Sequence, residues 1–153
     1  MKEYLITLLL AMTPISEVRG AIPYAMANGI AFPFHLLLPI AGNIFIIPWL
    51  LLLLEPVFKW LKNWQFLHRF NNWIDRYQTK AVEKVTKRHE SVLLLALLLF
   101  VAIPLPTTGV YTASLAAVVL KVPKLHAFLS LALGVLVASG IVYLASLGVI
   151  HLF

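Results

Sequence analysis

The stretch Thr13-Pro14-Ile15-Ser16-Glu17-Val18-Arg19-Gly20-Ala21-Ile22-Pro23 decides how the rest of the chain is read. It sets an acid and a base inside a long apolar run. On insertion scales each costs roughly 2.5–3.5 kcal/mol at the centre of a membrane helix, so such residues pair or line a cavity rather than face lipid. Pro14, Pro23 and Gly20 add a second irregularity, because proline removes a backbone donor and disfavours helix in the residue before it. Backbone groups freed at membrane depth are tolerated only inside protein or beside a watery cavity. Residues two apart face the same way in an extended segment but not on a helix. An unwound 14–23 segment therefore predicts Glu17 and Arg19 side by side, facing a shared ligand. The competing reading is a structural ion pair, or a turn in water at the membrane edge.

Composition places that stretch in a lipid setting. Of 153 residues, 61% are hydrophobic and 12% are charged, with mean hydropathy +0.93. Soluble proteins carry about 25% charged residues, so the expectation is an integral membrane protein forming a single domain over 1–153. Cysteine is absent, which excludes disulfides. The net charge is +6, and eight of the twelve Lys and Arg fall between Lys59 and Arg88. In this setting that points to the anionic cytoplasmic leaflet rather than to nucleic acid. Lys2, the apolar run from Leu5 to Met12 and the small residues Ala25-Met26-Ala27 imitate a signal peptide. The expectation is that this segment stays with the chain, since the remaining residues are themselves membrane-spanning.

Outward from the break, residues 4–12 form a short apolar arm of about 14 Å as helix, half a bilayer core. Residues 21–32 form a second arm, and the uncharged run 36–54 is long enough to span, with Asn43 inside it and bends at Pro39 and Pro48. Residues 55–91 read as a basic amphipathic helix lying on the headgroups. Then 92–103, a Pro104–Gly109 break, 110–120, Lys121-Val122-Pro123-Lys124 and a long span over 125–153 repeat the first pattern. Pro14 to Pro33 and Pro104 to Pro123 are both nineteen residues apart. This punctuation predicts two inverted repeats, 4–54 and 92–153, joined by 55–91, each a re-entrant hairpin followed by one transmembrane helix. In that arrangement ten of the twelve basic residues share one side, which the positive-inside rule makes cytoplasmic, and both termini face outward. The alternative is four full spans. Ser130, Gly134 and Ala138 put small residues on one face of the last helix, a contact surface for a homodimer.

Ser16-Glu17-Val18-Arg19-Gly20-Ala21-Ile22-Pro23, then Gly42-Asn43, then Phe100-Val101-Ala102-Ile103-Pro104-Leu105-Pro106-Thr107-Thr108-Gly109-Val110-Tyr111 resemble the putative small multidrug export protein family over nearly the whole chain. Thr107 departs from the glycine expected there. In architecture the chain is also similar to the DedA membrane proteins, which pair re-entrant hairpins with embedded acid and Arg residues. The first resemblance implies drug export by its name. The second implies movement of polyprenyl phosphate or another phospholipid carrier across the bilayer of the cell membrane.

The leading expectation is a secondary transporter or flippase for an anionic, phosphate-bearing lipid such as a polyprenyl phosphate, with the proton as candidate coupling ion. Half-helix N-termini in broken helices favour anions. Arg19 supplies a forked donor suited to phosphate. Thr107, Thr108 and Tyr111 offer hydroxyls from the second repeat. The expected binding set is Ser16, Glu17, Arg19, Asn43, Thr107, Thr108 and Tyr111, with membrane lipids and protons as partners and no cofactor or metal. The alternatives are a proton-coupled exporter of lipophilic cations, which Arg19 would repel, and a non-transporting membrane structural or assembly protein. An enzyme is not expected, since neither H-E-x-x-H nor G-x-S-x-G occurs. The histidines at 35, 68, 89, 126 and 151 are scattered, and His35 and His126 read as interfacial. The charge asymmetry predicts that single cysteines placed at residues 2 and 153 react with an impermeant thiol reagent from outside intact cells, and that one at residue 80 does not. Labelling of residue 80 from outside would overturn this orientation.

Overall fold

A computed structural model describes residues 1–62, 87–104 and 108–152. These form six helices: α1 (Lys2–Ala11), α2 (Glu17–Ala27), α3 (Phe34–Lys62), α4 (Lys87–Ala102), α5 (Val110–Val119) and α6 (Lys124–Leu152). No strand occurs among the described residues. Most of the expected amphipathic linker, with Thr107 and His68, lies outside the described residues. Two helices are long and apolar enough to cross a membrane, over Phe34–Val57 and Lys124–Val149. Only 28% and 44% of their most apolar windows are buried. The core helix of a soluble protein would be mostly covered, whereas Leu52, Leu53, Leu133 and Leu144 are each more than half exposed.

Side-chain contacts fix the directions of the helices. Lys124, at the start of α6, meets Glu55 of α3 at 2.6 Å, and His35, at the start of α3, stacks on Tyr143 of α6 at 5.5 Å. The two long helices are therefore antiparallel. Glu3 accepts from the Tyr24 hydroxyl at 2.5 Å, and Tyr4 packs edge-on against Phe34 at 6.2 Å. So the start of α1, the end of α2 and the start of α3 share one end of the bundle. Glu90 of α4 pairs with His126 of α6 at 2.8 Å, and the α5–α6 turn lies at that same level. The α1–α2 hairpin thus enters from one end of the α3/α6 pair and the α4–α5 hairpin from the other.

Each hairpin's first arm runs beside the long helix that comes after it, and in each case a glycine permits the contact. An added Cβ at Gly42 would lie 3.0 Å from the Leu8 carbonyl oxygen and 3.1 Å from Ala11 Cβ. At Gly134 it would lie 2.8 Å from both the Leu98 carbonyl oxygen and Val101 Cβ. Ser130 donates to the Leu94 carbonyl at 2.5 Å beside the second crossing, and Ala138 is 1% exposed. The small-residue face expected to serve a homodimer is therefore used inside the chain, because α4 needs close backbone approach to α6. Hairpin one ends beside Asn43, whose Nδ2 donates to the Ala11 carbonyl at 3.3 Å. That point is about 14 Å from the start of α3 at 1.5 Å per residue, and Gly134 is about 15 Å from the start of α6. The two hairpins consequently stop near the middle of the bundle, where their tips meet.

The second arms end alike. Gly29 at φ 70° and Lys121 at φ 54° are both left-handed. Ile30 N–H bonds Ala25 O at 3.0 Å and Val122 N–H bonds Ala117 O at 2.9 Å, the six-to-one closure of a helix C-terminus. The core joins both halves through Val18, Ile22, Ile47, Val101, Val110, Leu131 and Val135.

One further expectation is corrected. The second arm begins at Glu17 rather than at residue 21, so the break is confined to residues 12–16 and the helix continues through Pro23. The absent Pro23 N–H leaves only the Arg19 carbonyl without its helical partner, too small a loss to unwind a buried turn. His35, at the start of α3, is 8% exposed, with its Nδ1 2.9 Å from the Ile30 carbonyl oxygen. Gly134→Ala is expected to push α4 from α6 and cost about 1–3 kcal/mol, as overpacking does. Gly148→Ala, with nothing within 4 Å, is expected to leave stability unchanged or slightly raised. Thermal unfolding of the two variants in one detergent checks the contrast, and equal midpoints would contradict the crossing.

Candidate functional site

Where the hairpin tips meet, the acid and base of hairpin one serve the helix ends of hairpin two. A helix leaves its first N–H and last C=O groups unpaired, and an apolar surround makes each one costly. At the end of α4 those carbonyls turn to Arg19. Its guanidinium donates to the Thr108 carbonyl through Nη1, and through Nη2 to the carbonyls of Val101 at 3.4 Å and Ile103 at 3.1 Å and to the Thr108 hydroxyl at 3.1 Å. The planar fork of five donors suits Arg to such a cluster and Lys not. Thr108 Oγ1 adds a 2.8 Å bond to the Ile103 carbonyl.

The N-terminus of α5 is met by the carboxylate. Glu17 is 5% exposed and accepts from the backbone N–H groups of Val110 and Tyr111. A negative group at a helix N-terminus is favoured by both the free amides and the dipole. Gly109 makes room for it, since an added Cβ would fall 2.7 Å from Glu17 Cδ. Gly109 itself is extended, at φ −178°, so space and not backbone strain demands the glycine. Strain sits at Glu17 instead, at φ 48° in the left-handed region that costs an ordinary residue roughly 1–2 kcal/mol. Glu17 and Arg19 come together on a helix after all, with Nη1 3.8 Å from Oε2. The left-handed first residue turns the Glu17 side chain out of the helical register that would separate them.

Hairpin one receives a reciprocal contact of neutral groups. The Tyr111 hydroxyl donates to the Met12 carbonyl, Asn43 to the Ala11 carbonyl, and Thr13 Oγ1 to the Leu10 carbonyl at 2.8 Å. Arg19 and Tyr111, each near the start of a second arm, thus cross over to the end of the other hairpin's first arm.

Two cavities adjoin this junction and share Arg19. A polar chamber of about 420 Å³ is lined by Ser16, Glu17, Arg19, Thr108, Gly109, Tyr111 and Thr112, with Pro14, Ile15 and Gly20. A larger cavity of about 580 Å³ lies between α2 and α6, lined by Arg19, Pro23, Ala27 and Pro104 and by Ile141, Val142, Ala145, Ser146 and Val149. Of the expected binding set, Ser16, Glu17, Arg19, Thr108 and Tyr111 gather on the chamber. Asn43 does not line it. It is fully buried between α3 and the end of α1, with Oδ1 unpaired. Thr107 lies outside the described residues. Gly109 and Thr112 were missed because a glycine before a helix reads only as a breaker. The α6 lining was missed because Ile, Val and Ala on a span carry no polar signal. Among the described residues no group of three His, Asp or Glu could hold a metal ion.

No curated protein and no solved structure gives a significant match to the chain. The sequence model of the family described as "Putative small multi-drug export protein" matches residues 17–141, which takes in Glu17, Arg19, the second break and both long helices as far as Ile141. With most of its length matched and two apolar helices able to cross a bilayer, the chain is a membrane protein and belongs to that family.

Proposed function

We propose that the protein is a secondary transporter whose exchange site is the junction of the two hairpins, and that its cargo is an anionic, phosphate-bearing lipid such as a polyprenyl phosphate. The observation that carries this reading is the position of Arg19, which lines both the polar chamber and the apolar cavity. A charged headgroup and a hydrocarbon chain need those two surroundings at one place. On this reading the hairpins are re-entrant and the halves are inverted repeats. Supporting this, Leu8 and Ala11 against Gly42 match Leu98 and Val101 against Gly134, and the left-handed Gly29 matches Lys121. At 1.5 Å per residue α1, α2 and α5 are about 15–17 Å long and α4, with its charged first turn, about 24 Å, enough to reach the middle of a hydrocarbon core about 30 Å thick. Broken helices meeting at that depth are how many transporters build their sites.

A second reading, export of lipophilic cations in exchange for protons, has its own support. The Glu17 carboxylate already holds the α5 amides, where an anionic headgroup would bind, and the family description names drug export. Purified protein in proteoliposomes separates the two, with translocation of a polyprenyl phosphate measured beside efflux of a lipophilic cation. The expected result is movement of the phosphate lipid, lowered by about tenfold or more in Arg19→Lys, which corresponds to about 1.4 kcal/mol. An ammonium cannot span the carbonyls of Val101, Ile103 and Thr108 together. Glu17→Gln keeps an acceptor for the amides but loses the charge, and is expected to make the rate indifferent to a proton gradient. Cation efflux that improves in Arg19→Ala would give the site to the second reading. Absence of both activities in the wild type would leave a structural role.

A further inference from the structure

The apolar cavity between α2 and α6 has one charged side chain among its described lining residues, Arg19, at its inner end. From there it runs along α2 toward Ala27 and along α6 from Ile141 to Val149, a length of about 12 Å at 1.5 Å per residue. The lining between these points is apolar. Ser146, the single hydroxyl among the described lining residues, turns back to the Val142 carbonyl at 2.8 Å. Small side chains at Ala27 and Ala145 keep the groove open where Leu would fill it. Its volume of about 580 Å³ falls in the usual range of small-molecule sites, roughly 300–1,000 Å³. Arg19 also retains a buried donor, Nε, with no hydrogen-bond partner.

We propose that this groove is the binding site for the hydrocarbon chain of a single anionic amphiphile, whose headgroup rests against Arg19 at the edge of the polar chamber. The inference rests on the anionic-lipid reading above and names where its chain lies. Charge complementarity selects the occupant. A lipophilic cation would bring its charge to the guanidinium, and a second copy packed on the groove would cover that charge with apolar side chains. An anion with a chain meets the guanidinium charge and fills the groove at once. Ala145 is then the residue that sets access, because it faces the middle of the groove and is the smallest group on the α6 wall.

The test uses the full chain reconstituted in vesicles, with a long-chain monoalkyl phosphate carrying a diazirine in mid-chain as probe. A trimethylammonium compound of the same chain serves as comparison. After photolysis, labelling is mapped by peptide. The phosphate probe is expected to label 141–149 at least about fivefold more than 125–133, where Leu125, Leu129 and Leu133 are also exposed. Ala145→Trp is expected to reduce the first to the level of the second, and Val149→Trp gives an independent block should the first variant fold poorly. Equal labelling of the two segments would mean bulk lipid only and overturns the site. Equal or stronger labelling by the ammonium probe overturns the choice of head. Efficient disulfide-linked dimers of Ala145→Cys in the membrane, with loss of labelling, would assign the groove to a second copy. Selective labelling without any translocation in proteoliposomes keeps the groove and removes the transport reading. Translocation with uniform labelling does the opposite.

Discussion

A helix that stops inside an apolar environment must find partners for its last carbonyls and first amides, and this requirement organises the molecule. Two helices end there, α1 and α4, and two begin there, α2 and α5. Hairpin two is closed by charge: Arg19 gathers the carbonyls after α4, and Glu17 sits on the amides that begin α5. Hairpin one is closed by neutral groups from Asn43, Thr13 and Tyr111. Each charge therefore lies where the helix dipole favours it, the cation at a C-terminus and the anion at an N-terminus. The pair costs less inside the bundle than an isolated acid and base would, because each is hydrogen-bonded as well as paired. The glycines answer the same constraint. Gly109 admits the carboxylate, while Gly42 and Gly134 let each hairpin lie close enough to its long helix to be held.

Much of this was legible in the sequence because it rested on rare events in a uniform background. A Glu and an Arg among apolar residues, prolines at a repeated spacing and two uncharged runs of spanning length announce the helices, the two breaks and the junction. The features that the sequence misplaced are those decided by packing. Ser130, Gly134 and Ala138 announce close helix contact, but not whether the neighbour is α4 or another chain. Pro23 suggests an unwound segment, yet α2 continues through it because the surrounding helices hold the turn. The groove along Ile141–Val149 has no signature at all, since residues facing lipid and residues facing a cavity have the same composition on an apolar helix.

The same contacts that satisfy the backbone bear on the proposed transport. Under the proposed function Arg19 has two tasks, holding the end of α4 and meeting a headgroup, and the two compete for its donors. A ligand anion near Arg19 would draw the guanidinium from carbonyls that then need other partners. Protonation of Glu17 would weaken its hold on the α5 amides. Either event acts on hairpin two through hairpin one. The left-handed backbone at Glu17 is strained in the described arrangement, so a change that released the carboxylate would also relieve that strain.

Under the proposed function the tip of each hairpin lies at the middle of the membrane with both arms returning to one side. The most direct measurement is a depth profile by spin labels placed singly at Leu5, Ile15 and Asn28, read from collision rates with oxygen and with a water-soluble nickel complex. All three positions are exposed on the surface of the protein. The account predicts the greatest depth at residue 15, shallow positions at 5 and 28, and access to both shallow positions from the same face of a sealed vesicle. Access to residues 5 and 28 from opposite faces would mean that the segment crosses the bilayer, and would contradict it.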